Sequence, residues 1–395
     1  MLEKKVTLQQ LRPGMYVSRL DRPWLDTPFP LQGFPIRAAP DVAELRKHCE
    51  YVFIDVERGL DAPSEAQDPP RPPASVTPAP VDAQRELPVA KLSVERVSTE
   101  LVDIFEGARA RRPIQTDRLK SGITGLVDSA LRSTDAALLL ARLKRKDSYA
   151  YMHALSCSLL AVVLGKQLML QRAELLRLAL AATLFDIGKT QVPDELLVKT
   201  GPMTPPELKV LQRHVQFGVK VLKEARGIDS STIDAARHHH ERHDGSGYPA
   251  GLAGENIPLF ARIVGLVDTY DAMTSTRVYR SAMSHETAIR ELYDLRDRHF
   301  QNDLIEHLIQ CLGTYPAGTL VELTNGEVGI VVEQNLVRRL RPKVMVILDA
   351  DKSPLDHFPL VNLLAELEDA RGEPLAIATT LAPGSYGIDP SEYFI

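Results

Sequence analysis

Residues 92–313 carry apolar side chains at intervals of three and four, which is the spacing of one face of an α-helix. Proline and glycine interrupt this pattern, most clearly between residues 193 and 206. The segment therefore predicts an all-helical domain. With 395 residues, of which 44% are apolar, the chain is long enough for this domain and for smaller ones beside it.

The segments on either side follow different patterns. Residues 1–60 alternate short β-prone pieces with a helical stretch near residues 41–49, which indicates a small α+β module. Residues 61–88 contain eight prolines and few bulky apolar side chains, so we expect a semi-extended linker over residues 61–90.

The helical domain is expected over residues 91–315. After it, apolar residues alternate in short runs, and the pair Asn325–Gly326 is typical of a hairpin turn. Residues 316–395 therefore predict a small β-rich appendage and tail. The fold class is mainly α.

Composition excludes several classes of function. The net charge is −5 with both signs interspersed, which argues against binding to a nucleic acid polymer. The three cysteines are far apart and odd in number, which favours a reducing compartment. The most apolar stretch, residues 175–187, contains Arg177 and Asp186 and is too short for a membrane span. We expect a cytoplasmic protein that is not associated with membranes.

Polar side chains that bind metals occur inside these apolar helices. A single one has an ordinary explanation, such as a solvent-facing histidine, but burying several without partners costs several kcal/mol each. Convergence on a metal removes that cost, and imidazoles mixed with carboxylates suit iron, manganese, zinc or nickel. Two such ions form a common device for hydrolysing phosphodiesters. The residues are His153, Asp186, His214, the run His238–His240, Asp268 and Asp271.

A set of linked motifs then carries a specific resemblance. The run HHERHDGSGYP at residues 239–249 resembles the signature of HD-GYP domains, and the match extends over residues 148–312. The run LRPGMYV at residues 11–17 resembles a small domain commonly found ahead of HD-GYP domains. The other matching motifs, in the family's order, are IGK (187–189), VPD (192–194), ARIV (261–264), VDTYDAMT (267–274) and RVYR (277–280).

The resemblance implies an all-helical, metal-dependent phosphohydrolase that cleaves cyclic di-GMP to linear pGpG and, in a further step, GMP. It implies two divalent ions, iron or manganese, with Asp186 as their bridge. Asp186 and Lys189 are the implied catalytic residues, with Lys189 on the phosphate. The implied metal ligands are His153, Asp186, His214, His239, His240 and Asp268. The implied substrate contacts are Lys189, Gly247, Tyr248, Pro249, Arg277 and Arg280, although structural ion pairs explain the two arginines equally well.

One position departs from the family pattern. The defining His-Asp pair is Phe185-Asp186 here, and phenylalanine has no lone pair with which to bind a metal. Position 149 is tyrosine where some members have a glutamate, which argues against a third metal. Three outcomes remain open: a two-metal hydrolase with water in the gap, a cyclic di-GMP sensor that does not cut, or an interaction module that does neither.

Other substrates and partners also remain open. A related HD phosphohydrolase could act on a different nucleotide, such as cyclic GMP-AMP. The resemblance makes a diguanylate cyclase domain a candidate partner, and the helix at residues 92–105 is a candidate surface for a homodimer.

Overall fold

The computed structural model describes residues 3–8, 10–22, 29, 33–36, 38–56, 58–60, 80–142, 149–275, 282–335 and 338–394. It divides into two compact units, residues 1–74 and residues 75–395.

The first unit is a four-stranded antiparallel sheet with one helix, as the sequence predicts. The strand order is β1-β4-β2-β3. Val52 and Ile54 of the inner strand β4 are fully buried, and they alternate with less buried residues as expected for a strand with one face on the core. The elements are β1 (Glu3–Thr7), β2 (Tyr16–Leu20), β3 (Phe34–Pro35), α1 (Ala39–His48) and β4 (Tyr51–Asp55).

The second unit begins with a helical domain, which confirms the all-helical prediction. Two 3-10 turns, Ile187–Gln191 and Gly254–Asn256, connect some of its helices. The helices are α2 (Ala83–Arg109), α3 (Asp117–Arg132), α4 (Thr134–Arg142), α5 (Tyr149–Gln167), α6 (Arg172–Leu184), α7 (Asp194–Leu197), α8 (Pro205–Gln212), α9 (His214–Glu224), α10 (Ser230–His238), α11 (Leu259–Thr274), α12 (His285–Asp294) and α13 (Asn302–Leu312).

Helices α5 and α6 form the centre of the domain. Their described side chains are apolar nearly all round, which is the pattern of a helix enclosed by others. Leu155, Leu164 and Leu178 are fully buried there. A polar group on this pair is therefore shielded from water, and two of the predicted metal ligands lie on it or directly after it.

Helix α2 begins inside the stretch predicted as linker, so the predicted boundary at residue 90 is wrong. The carboxylate of Asp82 accepts a hydrogen bond from the backbone N–H of Gln84 and caps the helix. The buried Glu86 accepts hydrogen bonds from Arg132 and from Ser129, each at 2.7 Å. These contacts fix the first turns against α3 despite Pro88, whereas residues 61–79 lie outside the described residues.

The apolar spacing over residues 208–222 would fit one helix, but the structure has two there, α8 and α9. The break is a single residue, Arg213, whose backbone angles stay helical at φ −66° and ψ −13°. The apolar spacing therefore continues across the break, and the pattern could not reveal it. His214 consequently begins a helix instead of lying within one.

A five-stranded antiparallel sheet follows the helices, as the alternating pattern predicts. The strand order is β8-β7-β6-β5-β9. The Asn325–Gly326 turn joins β5 to β6, with Gly326 at φ 88°. Arg142 of α4 donates a hydrogen bond to the Thr319 hydroxyl at 2.6 Å and ties the sheet to the helices. The strands are β5 (Leu320–Leu323), β6 (Val328–Glu333), β7 (Lys343–Leu348), β8 (Leu360–Asn362) and β9 (Ile377–Thr380).

In the described part of the chain, every helix is too short or too polar to cross a bilayer.

Candidate metal centre

Four of the predicted metal ligands converge in one cluster, called here the first cluster. Asp186, His214, His239 and His240 each offer a ligand atom, and these atoms all lie within 4.8 Å of one another. Asp186, His214 and His239 are buried, and His240 is half-buried. Residues from three separate parts of the sequence therefore meet at one point.

The chain brings these parts together through a close backbone approach. Asp186 follows α6 and leads into the 3-10 turn that packs against α9. A Cβ atom at Gly188 would lie 1.9 Å from the carbonyl oxygen of His214 and 2.3 Å from the backbone nitrogen of Gly218. Because no other residue fits there, Gly188 is what allows Asp186 to reach His214.

Backbone carbonyls fix how the two buried histidines face the cluster. The Nδ1 of His214 donates to the carbonyl of Leu211 at 2.8 Å, and the Nδ1 of His239 donates to the carbonyl of Ala236 at 3.0 Å. With the proton on Nδ1, each Nε2 presents a lone pair to the cluster.

Three electron-rich atoms consequently face one another. The Nε2 atoms of His214 and His239 are 3.4 Å apart. The Oδ1 of Asp186 lies 3.4 Å from the Nε2 of His214 and 3.6 Å from the Nε2 of His239. Within the described part of the chain, no donor hydrogen-bonds to this buried Oδ1. Converging acceptors repel one another unless a cation lies among them, so the arrangement fits a divalent metal ion.

The protonation states agree with this arrangement. Burial by itself would raise the pKa of Asp186, but the Lys189 ammonium in contact with the carboxylate helps to hold that pKa well below its usual range. Burial lowers the pKa of His214 to about 4. At neutral pH the cluster therefore offers the carboxylate of Asp186 and the neutral imidazole of His214, which are the forms that bind metals.

The other two predicted ligands form a second cluster with a residue that sequence reasoning missed. His153, Cys157 and Asp268 offer ligand atoms within 4.8 Å of one another, and His153 and Cys157 are buried while Asp268 is half-buried. The Nε2 of His153 lies 3.0 Å from Oδ1 of Asp268, and its Nδ1 lies 2.6 Å from Oδ2 of Asp271. The sequence indicated Asp271 as one of the polar side chains in the apolar helices, but it did not assign Asp271 a partner.

The second cluster differs from the first in protonation. Burial by itself would lower the pKa of His153, but its acidic neighbours Cys157, Asp268 and Asp271 raise it well above the ordinary value. Without a metal, an imidazolium between two carboxylates offsets part of the negative charge of this cluster. A metal ion would replace the proton on Nε2 and do the same.

Phe185 lies between the two clusters. Its ring is fully buried, with its centroid 4.9 Å from that of His239 and 5.9 Å from that of His153, both edge to face. The residue that replaces the family's histidine thus sits at the expected position. It offers an apolar ring there, so the site lacks one imidazole of the family pattern.

The loop that contains Gly247, Tyr248 and Pro249, called here the GYP loop, lies over the first cluster. The ring of Tyr248 stacks on His240 with centroids 4.7 Å apart, and its backbone N–H donates to the His240 carbonyl at 3.2 Å. A Cβ atom at Gly247 would lie 2.4 Å from both the His240 carbonyl oxygen and the Arg242 backbone nitrogen. Gly247 therefore lets the loop fold onto the cluster, and the peptide bond from Tyr248 to Pro249 is cis.

Glu241 anchors this loop, a role that its place in the sequence motif does not reveal. Its side chain is buried, and its two carboxylate oxygens accept hydrogen bonds from the backbone N–H groups of Ala250 at 2.7 Å and Leu252 at 3.0 Å. Glu241 immediately follows the adjacent His239 and His240, so one short segment both supplies cluster residues and positions the loop over them.

The predicted site residues thus fall into three groups. The six predicted ligands occupy the two clusters, and Lys189, Gly247, Tyr248 and Pro249 lie beside or over the first. Asp186 belongs to the first cluster alone, so its predicted bridging role stays a prediction. Arg277 and Arg280 lie outside the described residues.

An all-helical domain that gathers histidines and aspartates into adjoining buried clusters defines the class of HD-type metal-dependent phosphohydrolases. Comparison with known families agrees. Residues 137–304 match the HD domain, residues 3–119 match the domain of unknown function DUF3391, and residues 320–368 match the KOW domain associated with HD domain.

Comparison with individual proteins narrows the class. The chain is 38% identical over 355 residues to cyclic di-GMP phosphodiesterase PA4108 of Pseudomonas aeruginosa, covering 88% of this chain and 86% of that protein. It is 41% identical over 152 residues to the cyclic di-GMP phosphodiesterase response regulator RpfG of Xanthomonas campestris, covering 38% of this chain and 40% of that protein. The solved structure of Bd1817, a HDG"Y"P protein from Bdellovibrio bacteriovorus, aligns over 79% of this chain and 99% of its own, with 14% identity and a TM-score of 0.49. The chain belongs to the HD-GYP family of cyclic di-GMP phosphodiesterases.

Proposed function

We propose that this chain hydrolyses a 3′,5′-phosphodiester bond of cyclic di-GMP to give linear pGpG, and that a second cleavage gives GMP. The observation that carries the proposal is the convergence of Asp186, His214 and His239, whose acceptor atoms face one another within 3.6 Å. The kinship with PA4108, which extends over most of both chains, supports cyclic di-GMP as the substrate.

The metal ligands we propose are the six histidines and aspartates of the two clusters, and iron or manganese suits their mixed donors. Divalent ions held there would lower the pKa of a bound water towards 7 and neutralise phosphate oxygens. Asp186 stays ionised beside Lys189, so its carboxylate can accept a hydrogen bond from the attacking water and orient it. The Lys189 ammonium is placed to offset the charge that develops on the phosphate.

The GYP loop supplies the substrate contact in this proposal. Tyr248 lies half-buried on the ring of His240, with an aromatic face and a hydroxyl beside the first cluster. Gly247 and Pro249 hold it there, and Glu241 fixes the loop beyond it. A nucleotide held against Tyr248 would place its phosphate near the cluster, where Lys189 also lies.

Phe185 favours a second candidate function, a cyclic di-GMP sensor without turnover. Its buried ring takes the place of a ligand next to the second cluster. If the second ion is absent, the neutralising charge on the phosphate is halved, and binding can persist without cleavage.

The test is a turnover assay of the full chain, loaded with Fe²⁺ or Mn²⁺ under reducing conditions and supplied with cyclic di-GMP. We expect pGpG to accumulate, and removing the metal with a chelator should stop it. Tight binding of cyclic di-GMP without product would support the sensor instead. Turnover of cyclic GMP-AMP without turnover of cyclic di-GMP would reassign the substrate.

Location and partners follow as further proposals. The cysteines Cys49, Cys157 and Cys311 are all free thiols, which supports a reducing compartment such as the cytoplasm. Val89 and Leu92 on α2 are 48% and 67% exposed, which supports this helix as a surface for a second copy of the chain. The predicted contact with a diguanylate cyclase domain stays a prediction.

A further inference from the structure

The second cluster has a donor that the family pattern does not require. Cys157 lies one helical turn after His153 on α5, and its Sγ is 3.7 Å from Nδ1 and 3.9 Å from Nε2 of His153. Asp268 lies on the other side of the same nitrogen, at 3.0 Å. The thiol and the imidazole are buried and the carboxylate of Asp268 is half-buried, and the three groups offer ligand atoms within 4.8 Å of one another.

The orientation of His153 is already that of a metal ligand. Asp271 holds Nδ1 at 2.6 Å, which leaves Nε2 directed at Asp268. A carboxylate behind a histidine in this way fixes the ring and makes its other nitrogen a stronger donor. Asp271 therefore acts behind His153, not at the ion.

The second cluster has few metal donors from the family pattern. With phenylalanine at position 185, His153 and Asp268 are the two remaining family ligands that belong to it, and two donors hold a buried ion poorly. The Cys157 thiol is the third group within 4.8 Å of both.

We propose that Cys157 is a metal ligand and that its thiolate replaces the imidazole that Phe185 cannot offer. The inference rests on the two-ion part of the proposed function. The second site is then a His–Cys–Asp site, while the first keeps three histidines and one aspartate. When the ion binds, the S–H bond of Cys157 gives up its proton to solvent and the sulfur donates an electron pair to the metal.

Charge and softness both suit such a site. One thiolate and one carboxylate neutralise a divalent cation, so the buried site carries no net charge from these three groups. A thiolate favours iron, zinc or cobalt over manganese, so the two sites should differ in metal preference. Manganese should therefore bind the second site more weakly than the first.

The test is direct detection of the metal–sulfur bond in the full chain. Loaded with two equivalents of Co²⁺, the protein should show thiolate-to-cobalt charge-transfer absorption in the near ultraviolet. Iron- or zinc-loaded protein should show a sulfur neighbour at about 2.3 Å by X-ray absorption. The proposal would be overturned if two ions bind and have only nitrogen and oxygen neighbours. It would also be overturned if one ion binds and has no sulfur neighbour.

Substituting the cysteines tests whether Cys157 is the source of the metal–sulfur bond. Cys157→Ser should abolish the charge-transfer band and weaken the binding of the second ion by at least roughly 10- to 100-fold. The matched control is Cys49→Ser/Cys311→Ser, which removes the chain's other two thiols and should keep the band. If the band persists in Cys157→Ser or disappears in the control, the proposal is wrong.

Neither readout requires substrate, so the two proposals fail separately. Protein that binds metal through sulfur but does not cleave cyclic di-GMP would contradict the proposed function and keep this site. Protein that cleaves cyclic di-GMP without any metal–sulfur bond would contradict this site and keep the proposed function. If Cys157→Ser does not fold, the X-ray absorption of the unaltered chain still decides.

Discussion

The ring of Phe185 stands edge-on to the imidazole of His239, with centroids 4.9 Å apart and planes at 80°. The same ring contacts His153 of the second cluster. A histidine at position 185 would therefore direct its nitrogens into the space between the two clusters. This relationship leads to the first prediction.

Phe185→His should increase both metal content and turnover. The added imidazole restores a donor, and we expect the second ion to bind at least roughly 10- to 100-fold more tightly. Metal analysis after dialysis against limiting Fe²⁺ or Mn²⁺ measures the first effect, and the rate of pGpG formation measures the second. Phe185→Leu keeps an apolar side chain and is the control. No gain in either quantity for Phe185→His would contradict this prediction and would mean that the Cys157 thiolate already replaces the missing imidazole in full.

Among the three consecutive histidines, one substitution should remove the first ion and another should not. His239→Ala deletes a donor whose Nε2 lies 3.6 Å from Asp186, so we expect loss of the ion and of turnover. His238 belongs to neither cluster, and His238→Ala should retain the metal. Metal analysis of the two purified variants tests the difference. Equal metal loss in both would indicate disruption of the whole segment.

Lys189→Met should slow catalysis while the metals stay bound. Removing the ammonium in contact with Asp186 takes away a positive charge near the phosphate, and we expect kcat to fall about a hundredfold. Lys352→Met removes a lysine that pairs with Glu322 near the C-terminal sheet, and it should leave kcat unchanged. Steady-state kinetics with metal analysis separates the two effects. Metal loss in Lys189→Met would place the lysine in the binding of the ion instead.

Glu241→Gln should weaken substrate binding by loosening the GYP loop. The amide replaces one of two carboxylate oxygens that accept backbone hydrogen bonds, which costs about 1–3 kcal/mol at a buried site. We expect KM for cyclic di-GMP to rise about tenfold with a smaller change in kcat. Asp244→Asn alters an exposed carboxylate that accepts from Ser246 in the same loop and should have a weaker effect. A fall in kcat at constant KM would argue against the anchoring role.

His285 should make the metal-free protein less stable in acid. Burial lowers the pKa of His285 to about 3, and its two nitrogens contact the Tyr270 hydroxyl at 2.9 Å and the Gly313 carbonyl at 3.0 Å. Since the pKa in the unfolded chain is higher, near 6.5, protons bind the unfolded chain alone between these values. The free energy of unfolding therefore falls as pH decreases through this window, by about 1.4 kcal/mol per pH unit from this residue.

Denaturant unfolding at several pH values in the presence of a chelator measures this dependence. His285→Gln keeps a hydrogen-bonding side chain without a titrating group, so its pH slope should be shallower. His357→Gln, on an exposed loop, should retain the slope of the unaltered chain. Identical slopes in all three proteins would exclude His285 as the source.

Much of the fold could be predicted because it follows local periodicity. The spacing of apolar residues identified α5 and α6, and the alternation after residue 315 identified the C-terminal strands. Boundaries were less certain where a tertiary contact decides them. Helix α2 begins at Ala83 because Glu86 pairs with Arg132, 46 positions later. The division at Arg213 was invisible because its backbone angles remain helical.

The candidate site could be predicted as a set of residues because its motif is nearly contiguous around residues 239–249. Its geometry could not. Cys157 follows His153 by four residues on an apolar helix, where a cysteine ordinarily acts as a small apolar side chain. The distance between Cys157 and Asp268 depends on how α5 packs against α11, and the local sequence of neither helix predicts that packing.

The sequence by itself determined that the chain forms a helical HD-GYP domain with a small module on each side, and that position 185 lacks a ligand. Local spacing and short motifs carry that information, since they act over a few residues. The tertiary structure alone decided that the ligands divide into two clusters, that Phe185 lies between them and that Cys157 faces the weaker one. Those facts depend on distances between helices remote in sequence, and these distances are set by the packing of the whole domain.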